Sequence, residues 1–202
     1  MKVITLEVKT VEEGLKLASK ELRVPESHID ITVLDKKGMI KKVLIVEAKI
    51  KVDPAEVGYE ILSEMFDNMN IEVSIEMRKK GENEISYTIN SDENPILIGK
   101  NGKTLENIQF YIRNIINTYS DERQIVLVDI GGYKANRRRQ LEILATKTAK
   151  EVAKTKIEAK LKPMNAYERR IIHTKLAEWR DVNTISEGEG QDRHLVIKSS
   201  RK

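Results

Sequence analysis

The sequence predicts an α+β protein of three small domains, and three observations support this. Segments in which apolar and polar residues alternate, as in half-buried strands, are interspersed with segments whose apolar residues recur at helical spacing. The length of 202 residues fits one or two ordinary domains or three small ones. Hydrophobic residues make up 40% of the chain, which is enough to form cores and argues against disorder over most of its length. We place the domains at residues 1–52, 53–130 and 131–202.

Residues 1–52 are predicted to fold in the order β-α-β-β. Thr10 lies three residues before Glu13, which is the spacing of a capping box at the start of a helix. Alternation after this helix indicates a half-buried strand, and Lys37-Gly38 provides a turn into a returning strand. The predicted helix is residues 10–22, and the predicted strands are residues 3–8, 29–34 and 40–52.

Residues 53–130 are predicted to follow the order α-β-β-α-α-β. Pro54 stands at the first position of a helix, where proline is favoured. Two alternating segments separated by Gly81-Glu82-Asn83 indicate a β-hairpin. The predicted helices are residues 54–66, 93–98 and 102–119, and the predicted strands are residues 71–77, 85–89 and 125–128.

Residues 131–202 are predicted to form an α/β domain. A long basic helix at residues 133–154 precedes a strand at residues 156–161. A second helix begins after Pro163 and ends near Arg180. Two closing strands, joined by a glycine-rich turn, are predicted at residues 182–186 and 194–198.

Charge is distributed unevenly along the chain. Residues 1–70 hold 11 basic and 13 acidic side chains, and residues 71–130 hold 7 basic and 10 acidic ones. Residues 131–202 hold 18 basic and 9 acidic side chains, which gives this segment a net charge of +9. Such an excess favours a polyanionic partner for the last third. The alternative is a solvated basic face without a partner.

The composition argues against several kinds of site. The chain has no cysteine, so it has neither disulfides nor thiolate metal sites, and its three histidines are far apart in sequence. We therefore expect no metal and no cofactor. The amino terminus lacks the apolar core of a signal peptide, and no apolar run is long enough to span a bilayer. These features predict a cytoplasmic protein without a membrane span.

A glycine loop at residues 99–103 is the first candidate site. Gly99 and Gly102 would let an anion approach the backbone, and Gly102 stands at the start of a predicted helix, where N–H groups are unpaired. Lys100 and Lys103 add positive charge, and Asn101 can donate a hydrogen bond. The neighbouring side chains that could wall a groove for bases are Ile96, Ile98, Leu105 and Ile108. The alternative is a plain helix-capping turn.

An arginine and a histidine one helical turn apart form the second candidate site. Arg169 and His173 would present several N–H donors to one spot, with Arg180 on the same face of the predicted helix. Asn165 would cap this helix, and Glu168 would return the capping bond. A basic track through Lys134, Arg137, Arg138 and Arg139 could extend the cationic surface. The alternative is that these side chains are a solvated face of the helix and bind no ligand. The alternative for His173 is a bond to a buried carbonyl.

Two motifs resemble known nucleic-acid-binding domains. Residues 54–130 resemble a type II KH domain, because isoleucine-glycine-x-x-glycine-x-x-leucine is present from Ile98 to Leu105. This resemblance implies that the loop clamps the backbone of about four nucleotides. The segment from Pro163 to His173 resembles the single-stranded nucleic-acid-binding domain named for its Arg-x-x-x-His motif. This resemblance implies that Arg193 and Lys198 line the same surface as Arg169 and His173.

In this order, the two motifs resemble the Jag (SpoIIIJ-associated, KhpB) family of bacterial RNA-binding proteins. The resemblance implies a post-transcriptional regulator or RNA chaperone linked to the cell envelope, division or sporulation. The implied partners are single-stranded RNA or single-stranded DNA, a small KH-only protein, insertase or envelope proteins contacting residues 1–52, and further copies of the chain. The short turn at residues 36–39 and the near absence of a linker before the KH-like segment depart from the family and leave the role of residues 1–52 open.

Two other functions are compatible with the residues. A nuclease could use His173 with Glu168, or a metal held by Glu187, Glu189 and Asp192. An adaptor for the membrane-protein insertase could use residues 1–52 as its docking domain, with RNA binding secondary. Fixed cations that hold phosphate need no metal, so we expect a binding protein and not an enzyme.

Overall fold

The computed structural model describes residues 2–37 and 43–200. The chain forms two compact units, residues 1–131 and residues 132–202. We call them unit 1 and unit 2. The division of the chain into three domains at residues 1–52, 53–130 and 131–202 stays a prediction. Each unit combines helices with three-stranded sheets, so the predicted α+β class is confirmed.

The first sheet of unit 1 has the predicted order β-α-β-β. Its elements are β1 (Val3–Val8), α1 (Val11–Leu22), β2 (Ile29–Lys37) and β3 (Val43–Ile50). The strands lie in the order β1-β3-β2, and both pairs are antiparallel. Thr10 caps α1 by accepting a hydrogen bond from the Glu13 N–H at 3.1 Å, as predicted. The predicted turn at Gly38 and the start of the returning strand lie outside the described residues.

The second sheet of unit 1 follows the predicted order α-β-β-α-α-β. Its strands lie in the order β4-β5-β6, with β4 and β5 antiparallel and β5 and β6 parallel. Strand β4 begins at Ser74 instead of residue 71, because its partner β5 ends at Asn90, directly opposite Ser74. The elements are α2 (Pro54–Asn68), β4 (Ser74–Lys80), β5 (Glu84–Asn90), α3 (Asn94–Ile98), α4 (Lys103–Tyr119) and β6 (Ile125–Ile130).

Residues 1–52 share a hydrophobic cluster with α2 and α4, the helices that accompany the second sheet. Tyr119, at the end of α4, is buried in this cluster, and its hydroxyl lies 3.0 Å from His28 Nδ1. Lys2 Nζ donates to the carbonyl oxygen of Thr118 at 2.8 Å. Burial raises the pKa of Tyr119, and the charge of Glu60 adds to this shift. The cluster consists of Ala18, Leu22, Val24, Ile29, Ala48, Ile50, Val57 and Tyr119, so both sheets of unit 1 contribute to one core.

Helix α2 approaches the rest of unit 1 most closely at Gly58. A Cβ at this position would lie 2.3 Å from the hydroxyl oxygen of Tyr87 and 2.7 Å from Cδ1 of Ile116. The Tyr87 side chain is almost fully buried, and its hydroxyl donates to the carbonyl oxygen of Ala55 at 2.8 Å. Moving the ring away from α2 would break this buried hydrogen bond.

The Gly58→Ala variant is expected to lower the free energy of unfolding by about 1–2 kcal/mol. Overpacking costs up to about 3 kcal/mol at a site with two contacts this close, and the helix propensity of alanine offsets about 1 kcal/mol of that cost. Urea denaturation followed by circular dichroism measures the change. Gly14→Ala is the control, because its nearest neighbour is the tip of the Ile31 side chain at 2.9 Å, and a smaller effect is expected. A Gly58→Ala protein as stable as the wild type would contradict the packing described here.

Unit 2 packs two helices against one face of a three-stranded sheet. The antiparallel sheet has the order β7-β9-β8. Its core combines Leu141, Ala145, Ala149 and Val152 of the first helix with Ile172, Leu176, Val182, Leu195 and Ile197. The elements are α5 (Tyr133–Thr155), β7 (Ala159–Lys160), α6 (Ala166–Leu176), β8 (Val182–Glu187) and β9 (His194–Ser199).

Two elements of unit 2 are shorter than predicted. Helix α6 ends at Leu176, so the prediction that it continues to Arg180 is wrong. Strand β7 has only two residues, because its pairing with β9 is limited to Ala159 and Lys160. Among the helices of residues 2–37 and 43–200, none has the length and apolar character needed to span a bilayer.

Candidate nucleic-acid interface

The glycine loop of unit 1 has a backbone that requires glycine at its first position. Gly99 follows α3 with φ 69° and ψ −178°. A Cβ on Gly99 would lie 2.1 Å from Oγ1 of Thr104. Asn101 and Gly102 also have positive φ values, 55° and 77°. The chain therefore turns tightly between α3 and α4, with its backbone close to the start of α4.

The polar side chains of this loop are exposed and unpaired. Lys100, Asn101 and Lys103 are exposed, whereas Gly102 is buried. Within the described part of the chain, none of these three side chains makes an ion pair or a hydrogen bond to protein. Two backbone N–H groups at the start of α4 already have partners in the loop, since Gly102 donates to the carbonyl oxygen of Gly99 at 3.2 Å and Lys103 donates to that of Lys100. The dipole of α4 still favours an anion near this end of the helix. The loop therefore presents the two lysine side chains and the Asn101 side chain to solvent beside the positive end of the α4 dipole.

The apolar neighbours of the loop differ from the prediction. Leu105 is 2% exposed and Ile108 is 9% exposed, so both belong to the core and are too buried to contact a base. Ile96 is 58% exposed and Ile98 is half-buried. The prediction of a groove walled by all four side chains is therefore wrong for Leu105 and Ile108.

In unit 2, Arg169 and His173 lie one turn apart on α6. The helix is capped by Asn165, whose side-chain oxygen accepts from the Glu168 N–H at 2.9 Å. The His173 ring is exposed, and its Nδ1 is hydrogen-bonded to the Thr184 hydroxyl on β8. Among the residues that the structure describes, Nε2 of His173 has no hydrogen-bond partner, and the alternative of a bond to a buried carbonyl is wrong. Arg169 is half-buried and has no ion pair within residues 2–37 and 43–200.

Strand β8 brings Arg193 to the same surface. The Arg193 side chain is exposed, and its Nε donates to the Ser186 hydroxyl at 3.0 Å. Ser186 is two residues beyond Thr184, so the two hydroxyls lie on one face of β8, about 7 Å apart along the strand. Since Thr184 holds His173 and Ser186 holds Arg193, the strand positions both basic side chains. We call Arg169, His173 and Arg193 the α6 cationic surface.

Comparison with known proteins agrees with this geometry. The family model of the R-3-H domain, named for its Arg-x-x-x-His motif, matches residues 139–199, which include the whole α6 cationic surface. The chain is 35% identical to RNA-binding protein KhpB of Clostridium symbiosum, over the full chain and 94% of that protein. It is 32% identical to RNA-binding protein KhpB of Bacillus subtilis (strain 168), over the full length of both proteins.

The chain belongs to the KhpB family. This membership confirms the predicted resemblance to the Jag family. A third KhpB relative, from Lactiplantibacillus plantarum, is 35% identical over 112 residues, which cover 54% of this chain and 35% of that protein. The KhpB relatives are named as RNA-binding proteins and not as enzymes, in agreement with the prediction of a non-catalytic protein.

Two basic residues predicted near the α6 surface of this KhpB-family chain lie elsewhere. Arg180 follows the end of α6 and does not share a helix face with His173. Lys198 pairs in register with Asn183, so it lies on the face of the sheet opposite Thr184. Lys198 Nζ lies 2.9 Å from Glu187 and 3.6 Å from Glu158. Its hydrogen bond with Glu187 raises the pKa of Lys198 and lowers the pKa of Glu187.

A buried ion pair between α5 and α6 was missed by the sequence analysis. Arg137 Nε donates to Oε1 of Glu168 at 2.6 Å, and Glu168 is only 4% exposed. Burial lowers the pKa of Arg137, but the hydrogen bond and charge of Glu168 outweigh this effect and raise it. Oε2 of Glu168 has no partner within the described part of the chain.

This ion pair changes two sequence-based interpretations. Arg137 bonds one oxygen of the Glu168 carboxylate, and Glu168 is only 4% exposed, so the carboxylate is not a solvent-accessible base for a nuclease reaction with His173. The return capping bond from Glu168 to Asn165 stays a prediction. Arg137 is not a free cation of the predicted basic track. Arg138 in that track is also paired, with Glu142 at 3.0 Å. The pair instead fixes the first turn of α6, immediately before Arg169, against α5.

Proposed function

We propose that this chain binds single-stranded RNA and holds the sugar-phosphate backbone at two separate sites. One is the glycine loop, Gly99, Lys100, Asn101, Gly102 and Lys103, and the other is the α6 cationic surface. The observation that carries the proposal is the exposed, unpaired loop between α3 and α4, in a chain whose KhpB relatives are named RNA-binding proteins. Single-stranded DNA offers the same phosphates and is the closest competing ligand.

The glycine loop suits a phosphodiester group. Because Gly99 and Gly102 carry no Cβ, a phosphate oxygen can approach the backbone without steric hindrance. The dipole of α4 favours a negative charge at this position, and Lys100 and Lys103 neutralise the charge of the phosphate. Asn101, which is exposed in a left-handed conformation, is placed to donate a further hydrogen bond.

The α6 cationic surface suits a second backbone segment. Arginine binds a phosphate bidentately through its planar guanidinium group, and both Arg169 and Arg193 can do so. His173 adds a donor or acceptor at Nε2, since its Nδ1 is held by Thr184. The net charge of +9 on residues 131–202 increases the rate at which a polyanion associates.

Single strands are preferred over duplexes in this proposal. An A-form duplex hides its base edges in a deep, narrow groove, whereas a single strand can bend so that its phosphates reach a tight loop. A loop of five residues also presents a smaller surface than the extended face used by duplex-binding domains.

A salt titration of the full-length protein tests both sites together. Lys100, Lys103, Arg169 and Arg193 can each neutralise one phosphate, and each contact with a single strand contributes about −0.7 to the slope of log K against log salt. The expected slope for a labelled single-stranded RNA is therefore about −3 or steeper, measured by fluorescence anisotropy. A duplex of the same length should bind more weakly at every salt concentration. A flat salt response, or equal binding of duplex and single strand, would contradict the proposal.

The cellular role implied by the family resemblance stays a prediction. We propose that RNA binding supports post-transcriptional regulation or RNA chaperoning linked to the envelope, division or sporulation, in the cytoplasm. The partners implied for such a role are a small KH-only protein, insertase or envelope proteins contacting residues 1–52, and further copies of the chain. An insertase adaptor is the alternative, and it would keep its function after the loss of RNA binding.

A further inference from the structure

Unit 2 has a second cationic surface between α5 and α6. An open groove of about 520 Å³ runs along this seam, and its lining includes Arg139, Lys147, Lys150 and Lys175. This volume lies within the range of about 300–1,000 Å³ typical of sites for small organic ligands, so the groove exceeds the size of a single phosphate ion. We call it the α5–α6 groove.

The four cations of the α5–α6 groove are not neutralised by the protein. Within residues 2–37 and 43–200, none of them forms an ion pair. The groove also contains Glu142, but its carboxylate is paired with Arg138 at 3.0 Å. Four like charges in one depression repel each other, and an external polyanion would relieve this repulsion.

The α5–α6 groove is separate from the α6 cationic surface. Lys175 is two residues beyond His173, which places it about 160° away around the helix. His173 is hydrogen-bonded to Thr184 of β8, whereas Lys175 lines a depression together with residues of α5. The two surfaces therefore flank α6 on different sides, and a ligand on one leaves the other open.

An aromatic side chain lies beside these cations. Tyr167 is 63% exposed and lines a neighbouring depression with Arg170 and with the ion pair between Arg138 and Glu142, and Glu178 also belongs to this lining. The two depressions share Glu142 and Lys175, so they form one continuous surface. An exposed aromatic ring among basic residues can stack on a nucleic acid base, because every base has a π face.

We propose that the α5–α6 groove binds the backbone of single-stranded RNA, with a base stacked on Tyr167. This inference rests on the proposed function and extends the RNA footprint beyond the glycine loop and the α6 cationic surface. A single strand is favoured over an anionic membrane because the cations lie in a row along the seam between α5 and α6, beside an exposed aromatic ring. The exposed ring of Tyr167 further favours a ligand that carries bases.

The triple variant Lys147→Ala/Lys150→Ala/Lys175→Ala tests the groove in the full-length protein. Removing three phosphate contacts should make the salt slope shallower by about 2, because each contact to a single strand contributes about 0.7. Raising salt fourfold, from about 50 to about 200 mM, should therefore weaken the wild type about 16-fold more than the variant. The matched control is Lys9→Ala/Lys16→Ala/Lys20→Ala, which removes the same charge from exposed residues of unit 1 and should keep the wild-type slope.

Tyr167 gives an independent measurement. Tyr167→Ala should weaken binding about tenfold, which is the loss expected for one stacked base, and Tyr167→Phe should recover most of that loss. Ultraviolet crosslinking followed by mass spectrometry of the bound complex should place RNA on Tyr167. Circular dichroism and Trp179 fluorescence confirm that the variants are folded.

The outcomes separate this inference from the proposed function. If the wild type binds single-stranded RNA but the groove variant has the same affinity and slope, the inference is wrong and the two-site proposal stands. The inference is also wrong if the groove variant loses binding only to vesicles of phosphatidylglycerol, because the groove would then serve a membrane. A wild type that binds no RNA overturns both proposals.

Discussion

The double variant Lys100→Asp/Asn101→Asp is expected to weaken binding of single-stranded RNA about 100-fold. A hydrogen bond to a charged group contributes about 1.5–3 kcal/mol, and every 1.4 kcal/mol changes affinity about tenfold. The two new carboxylates would also repel the phosphate that approaches the loop. Fluorescence anisotropy with labelled RNA at fixed salt measures the loss.

The fold should survive this change, because both side chains are exposed and unpaired among the described residues. Aspartate tolerates the left-handed conformation of Asn101 almost as well as asparagine does. A matched control is Lys20→Asp/Asn70→Asp, which makes the same charge change at an exposed lysine and at another asparagine of positive φ. If the loop variant and this control bind RNA equally well, the glycine loop is not an RNA site. A loop variant that loses RNA but keeps its cellular role would favour the adaptor alternative.

Substituting Arg137 by methionine is expected to destabilise unit 2 by about 3 kcal/mol. Breaking a buried ion pair typically costs about 3–5 kcal/mol, because the remaining charge stays buried without a partner. The lower end applies here, since the Arg137 side chain is 26% exposed while that of Glu168 is 5% exposed. Trp179 packs against the core of unit 2 and is the only tryptophan, so its fluorescence during urea denaturation reports on this unit.

A double variant distinguishes loss of the ion pair from loss of packing. Arg137→Met/Glu168→Leu removes both charges and should recover most of the stability, because apolar replacements of buried ion pairs are often neutral or stabilising. Arg138→Ala is the control for an exposed pair and should change the free energy of unfolding by less than about 1 kcal/mol. A single Arg137→Met variant as stable as the wild type would show that Glu168 finds another partner or water.

The sequence was a good guide where local residues determine the structure. The cap at Thr10, the proline at the start of α2 and the alternation in β5 predicted the order of elements in unit 1, because each depends on residues within one turn or one strand. The positions of the glycine loop and of the Arg169–His173 pair followed from motif spacing for the same reason. Local patterns determine which elements form and roughly where they lie.

The sequence was a poorer guide where distant residues determine the structure. The start of β4 depends on where β5 ends, and Arg137 meets Glu168 across 31 residues. Trp179 packs against the core from the turn after α6, where its backbone N–H donates to the carbonyl oxygen of Leu176 at 3.0 Å. Its apolar side chain suggested from the sequence that α6 is longer than the helix observed. Leu105 and Ile108 belong to the apolar face that helical spacing predicts for α4, and the fold shows that this face is buried in the core and does not line a groove beside the loop.

The common core of unit 1 limits what truncation experiments can show. A fragment beginning at residue 53 would uncover Val57 and Tyr119, which are buried against Leu22 and Ile50 in the intact protein. An exposed apolar patch of this kind promotes aggregation and weakens the end of α4, the helix whose first turn follows the glycine loop. Surface substitutions that leave the core intact are therefore the appropriate way to search residues 1–52 for a protein partner.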